Sequence, residues 1–89
     1  MKEKLNYKKP NWTVTDVKPM NDYILLVTFI SGEKKKVDMK ELINRGGVFA
    51  KLKDPDIFTL AHVDSPTVVW NRDIDIAPES LYERGIAID

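Results

Sequence analysis

The chain has 89 residues, 43% hydrophobic and 31% charged, with 14 Lys/Arg balanced by 14 Asp/Glu and no cysteine. A domain of that size buries about 60% of its unfolded surface, enough for one modest core, and the lack of cysteine excludes disulfides and thiolate metal sites. No apolar run reaches the roughly 18 residues of a membrane helix, the lysine-rich N-terminus has no signal-peptide core, and zero net charge argues against a large nucleic-acid footprint.

Residues 1–11 carry several lysines, little apolar content and Pro10, and read as a flexible basic arm. The folded domain is expected over residues 12–84, with 85–89 as a tail. Residues 12–18 are rich in β-branched side chains and predict a first strand. Pro19, Met20, Asn21 and Asp22 then signal a turn.

Residues 23–30 form the strongest strand pattern in the chain. Tyr23, Leu25, Val27 and Phe29 share one face, and Ile24, Leu26 and Ile30 share the other. A strand apolar on both faces needs cover on both. One face is expected to pack on short helices through Leu42, Ile43, Leu81 and Tyr82. The other must be covered by sheet curvature, by Trp12 and Trp70, or by a partner subunit. Ser31, Gly32 and Glu33 turn the chain into residues 34–38, where Lys34, Lys35 and Lys36 place charge on both faces. That pattern predicts an edge strand protected by lysines.

Asp38 is placed to cap a helix over residues 39–45, with Glu41 in the capping-box position, and Gly46-Gly47 ends it. A single helical turn starts at Pro55. Residues 60–64 and 68–70 read as two strands joined by the turn at Ser65, Pro66 and Thr67. A last helix begins at Pro78 and is stopped by Gly85. The fold class is therefore α+β: a small antiparallel meander or mixed sheet with two or three short helices, in a single domain.

Charge is unevenly spread. Residues 1–53 hold twelve Lys/Arg and six Asp/Glu, whereas residues 54–89 hold two and eight. Either the two halves interleave on the surface, or the folded chain is dipolar and steers a partner or a second copy of itself.

Four stretches follow one another in a specific order and spacing. They are the hairpin of residues 23–33, Val37-Asp38, the run 48–58, and Trp70 followed by Asp75-Ile76-Ala77-Pro78-Glu79-Ser80-Leu81-Tyr82. Together, over about residues 12–84, they resemble domain-of-unknown-function family 2442. The resemblance implies a small bacterial α+β domain. Many relatives look like one member of a two-gene pair of the toxin–antitoxin kind. Some relatives continue into a helix-turn-helix domain, for which a chain ending at Asp89 is expected to have no room. The family supplies no catalytic residues.

The residues offer little chemistry. His62 is the lone histidine and lacks the nucleophile and orienting group of a catalytic dyad, so it reads as a structural or surface residue. Asp73, Asp75 and Glu79 form the best acidic cluster, yet their number and spacing suit capping and turn hydrogen bonds better than a cation. Trp70 and Tyr82 serve either as core anchors or as contact area for a partner. Trp70, Asp73, Asp75, Glu79 and Tyr82 are together the candidate partner surface. No catalytic residue, metal site or cofactor is expected.

The leading expectation is a non-enzymatic, cytoplasmic protein-binding domain, the antitoxin-like member of a two-gene pair. Its partner would be another small protein encoded beside it, and the sequence also allows a homo-oligomer. The alternative is a regulatory or nucleic-acid-associated module using the basic arm and the lysine hairpin. A hydrolase or metal enzyme built on Asp73, Asp75 and Glu79 comes last.

Overall fold

The computed structural model describes residues 11–71 and 74–88. The two-faced strand pattern becomes β2 (Ile24–Phe29), flanked by β1 (Val14–Met20) and β3 (Lys34–Asp38). Helix α1 (Lys40–Arg45), a 3-10 segment (Gly47–Lys53) and α2 (Pro55–Phe58) lead to β4 (His62–Asp64), β5 (Thr67–Asn71) and β6 (Ile74–Ile76). Helix α3 (Pro78–Arg84) and β7 (Ile86–Ala87) follow. The strands form two antiparallel sheets, β1-β2-β3-β7 and β4-β5-β6. The class is α+β as expected, with two sheets in place of one.

The core lies between the sheets and is capped by the helices. Leu25, Val27 and Phe29 of β2 join Val68, Trp70, Ile74 and Ile76 of the second sheet. Leu42, Ile43 and Leu81 complete the same cluster, with Tyr82 packed against it, as the period-two pattern of β2 required. The Tyr82 ring meets Phe29 edge-on at 5.0 Å between centroids. Trp70 is 1% exposed, and its indole N–H donates to the Phe58 carbonyl at 3.1 Å. The register of β5 against β6 shifts at this residue, between Val69 and Asn71. The bulge re-aims the side chain.

Several local expectations are corrected. Strand β1 runs on through Pro19 to Met20, because it is the outermost strand, where proline's missing N–H disturbs least. The turn is Asn21–Tyr23, and Asp22 (φ 66°) and Tyr23 (φ 61°) both take left-handed backbone. For a bulky tyrosine this conformation must be held by its surroundings. The Tyr23 hydroxyl donates to the Lys53 carbonyl, and the ring stands edge-on to Phe58 at 5.3 Å. The Tyr23 carbonyl accepts from Met39 N at 2.9 Å.

Asp38 does accept a backbone N–H at the start of α1, from Lys40 at 2.9 Å. Glu41 does not reach back to close a capping box; it pairs with Arg45 and Arg84 instead. Gly46 ends α1 at φ 90°, a conformation open to glycine. Asp54 accepts from Asp56 N at 3.0 Å and starts α2 with Pro55 behind it.

Strand β3 is not an edge. The closing residues, read as a tail, supply β7, which pairs Ala87 with Lys35 and Ile86 with Lys36. Gly85 makes this possible: a Cβ there would lie 2.7 Å from Lys35 Cβ. The expected arm over residues 1–11 lies almost wholly outside the described residues.

Candidate interaction surface

Among the described residues, the four-stranded sheet buries one face and leaves the other open. Direct cross-strand partners share a face, so the register assigns the outer side in three rows. The first row is Met20, Ile24 and Asp38; the second is Lys18, Leu26, Lys36 and Ile86; the third is Asp16, Thr28 and Lys34. Ile88, whose N–H bonds the Lys34 carbonyl at 3.1 Å, extends the third row. Along the middle of this face Ile24 and Leu26 are half-buried. Met20, Ile86 and Ile88 are 39%, 74% and 36% exposed. At one rim Ile24, Lys36, Asp38, Arg84, Ile86 and Ile88 line a shallow groove of about 230 Å³.

Neither tryptophan covers this face as a core residue would. Trp70 is in the interior, and Trp12 is exposed beside the start of β1. Ile30, assigned by alternation to the same face, sits in the turn after β2 and is exposed.

The lysines of β3 divide by face. Lys35 points inward: its Nζ donates to the Tyr82 carbonyl at 2.7 Å and lies 3.6 Å from the Tyr82 ring centroid. Lys34 and Lys36 point outward with Lys18. None of these three side chains forms a hydrogen bond or ion pair within the described residues. Asp38 is held in place by Lys40, whose Nζ approaches at 3.1 Å.

Of the residues singled out in the acidic C-terminal third, only Trp70 is shown to be closed to a partner. Trp70 is corrected from candidate contact residue to core, since an indole in a bulge facing the opposite sheet has no solvent side. Asp75 is exposed on the outer side of the second sheet, and Glu79 is exposed in the first turn of α3. Asp73 lies outside the described residues. Tyr82 is half-buried and donates its hydroxyl to Glu33 at 2.7 Å. His62 is exposed on β4, with Nδ1 2.9 Å from the Leu60 carbonyl. Among the described residues no three His, Asp or Glu side chains converge as metal ligands.

A family model described as a protein of unknown function (DUF2442) matches residues 14–87. The chain belongs to this family. The match spans every strand and helix described above, from the first residue of β1 to the last of β7. Comparison with curated proteins and with solved structures gave no match.

Among the described residues of this DUF2442 domain, the ionisable groups that shift do so through local pairs. The Lys40 backbone N–H holds the Asp38 carboxyl below its ordinary value, and the Lys40 ammonium adds to the effect. Lys40 is raised in turn, first by its hydrogen bond to Asp38 and then by Asp22. Glu41 is lowered by its hydrogen bond from Arg84, at 2.9 Å, and by Arg45. Tyr82 is raised by its bond to Glu33. These groups tie α1, α3 and the sheet together.

Sequence reasoning singled out Ile24 and Leu26 but missed Lys18, Met20, Ile86 and Ile88. Alternation along β1 and β7 places them on the same side once the register is known. A second shallow groove, of about 230 Å³, lies between the Asn21–Tyr23 turn and α2, lined by Met20, Tyr23, Pro55 and Phe58 among others. Two of its lining side chains, Tyr23 and Phe58, are already engaged with each other in holding the turn. No helix among the described residues is long and apolar enough to cross a membrane.

Proposed function

We propose that this domain works by binding another protein across the outer face of its four-stranded sheet. One observation carries the reading: Met20, Ile24 and Leu26 form an apolar strip that the described residues leave open, with Ile86 and Ile88 beyond the charged β3 column of Lys34, Lys36 and Asp38. An uncovered strip of aliphatic side chains rimmed by charge is a usual mark of a protein contact. The two-gene arrangement implied by the family resemblance makes the product of an adjoining gene the first partner to test, with this chain as the antitoxin-like member. The lysines on the same face are separated by aliphatic side chains, which offer bases no stacking platform; this favours protein over nucleic acid.

The test is co-expression with the products of the flanking genes, followed by capture on the tagged domain. The wild-type chain retains one of these products. Leu26→Lys and Ile24→Lys lose it while remaining folded, with a melting temperature within about 8 °C of wild type. Retention of the product by both folded variants overturns the proposal, as does failure of the wild-type chain to retain any.

A further inference from the structure

We propose that the segment received on this face is an amphipathic helix whose apolar stripe is bordered on both sides by carboxylates. The inference rests on the protein-binding reading above and names the chemistry of the partner.

The argument starts from the columns of the open face. Ile24 and Leu26 run along β2, with Lys18 on the β1 side and Lys34 and Lys36 on the β3 side. Strands are about 4.8 Å apart, so the flanking columns stand about 10 Å from each other. A helix with its side chains is about 10–12 Å across, which fits that trough. Residues two apart on a strand are separated by about 6.8 Å, and helical residues i and i+4 rise about 6 Å. Apolar side chains at i and i+4 therefore match Ile24 and Leu26. A second pair of residues at that spacing, both acidic, matches Lys34 and Lys36 on one flank. A single acid matches Lys18 on the other.

The charges favour this occupant over a second copy. Lys18, Lys34 and Lys36 form no ion pair within the described residues, whereas Asp38 on the same face is already paired with Lys40. A two-fold contact of this face with itself would place six such lysines in one interface, against the two copies of Asp16. Addition of a partner strand would use a sheet edge, where backbone groups are offered. It would leave the side chains of Ile24 and Leu26 open. A helix laid along β2 covers them.

The experiment uses the full chain and two synthetic 18-residue helical peptides with the same leucine stripe. One carries glutamates on both flanks of the stripe and the other lysines. Binding is followed by fluorescence anisotropy at low and at 0.3 M salt, the second being a concentration at which exposed charge pairs are largely screened. The glutamate peptide is expected to bind at least about tenfold more tightly than the lysine peptide, with the gap narrowing in salt. The double variant Lys18→Glu, Lys36→Glu, folded as judged by its melting temperature, reverses the preference. Equal binding of the two peptides, or no binding of either, overturns the inference. A wild-type dimer in sedimentation that Leu26→Lys converts to monomer also overturns it, in favour of a second copy. If a captured gene product is lost on Ile24→Lys but kept by the charge-reversed double variant, the face stands as the binding surface and the acid-flanked helix does not.

Discussion

Leu25 and Leu26 are neighbours in sequence and identical in chemistry, and the fold turns them to opposite sides of one strand. Leu25 is 0% exposed in the core, whereas Leu26 lies half-buried in the open face between Lys18 and Lys36. Truncating a fully buried leucine to alanine costs about 3–5 kcal/mol, because the lost transfer energy is joined by the cavity left behind. On an open face no cavity forms, so only part of the transfer term is lost, about 1 kcal/mol or less. A domain of 89 residues has a total stability of about 4–13 kcal/mol. Leu25→Ala therefore removes a large share of it, and Leu26→Ala a small one. At about 4–8 °C per kcal/mol the first variant melts at least about 12 °C below wild type and the second within about 8 °C. Urea denaturation with a common m-value gives the two free energies directly. If Leu26→Ala cost as much as Leu25→Ala, the outer face would be internal, and the interaction surface would have to be abandoned.

Three further outcomes test how the rim is built. Gly85→Ala drives a methyl group against Lys35 Cβ, at 2.7 Å, and against the Leu81 carbonyl, at 3.0 Å. Neither is a flexible chain end, so overpacking should cost about 1–3 kcal/mol, and hydrogen exchange should show β7 released while β1–β2 keeps its protection. Trp70→Phe removes the indole donor and leaves a void. It should destabilise by about 2 kcal/mol, and a melting temperature equal to wild type would contradict the burial of Trp70. The carboxylates of Asp38 and Glu41 are lowered in the folded state, so their contribution is present above their ordinary values and is lost as pH falls through the lowered ones. Glu41→Gln should flatten the acid side of the curve of melting temperature against pH, and an unchanged slope would show that the Arg84 pair has no thermodynamic weight.

Much of the fold was legible because short-range physics decides it. The two-faced apolar pattern of residues 23–30, the proline starts of α2 and α3 and the glycine stop of α1 all act within a few residues. The extent of β1 was not legible. Proline reads as a break unless the strand is known to be outermost, and strand order is a long-range property. The same holds for Trp70. An aromatic before a turn suits either a core or a contact surface, and only the bulge, the opposing sheet and the Phe58 carbonyl decide between them. Strand β7 is two residues long, and its pairing depends on a close approach of Gly85 to a lysine fifty residues earlier, which no local pattern announces.

The run Lys34-Lys35-Lys36 shows how far residue type can mislead about surface. Three consecutive lysines suggest one role, the protection of an edge. In the fold they have two. Lys35 turns inward, where its ammonium is held by the Tyr82 carbonyl and ring, so it helps to anchor α3 and the start of β7. That anchoring is what allows β7 to cover half of β3, and it removes the edge the lysines were expected to guard. Lys34 and Lys36, freed from that duty, flank an aliphatic column together with Lys18 from the far side of β2. Replacing Lys35 should therefore loosen α3 and β7 without altering the charge of the open face, whereas replacing Lys36 should alter that charge and leave the fold intact. The surface that carries the proposed function belongs to register, not to composition, and it becomes visible only when β1, β2, β3 and β7 are laid side by side.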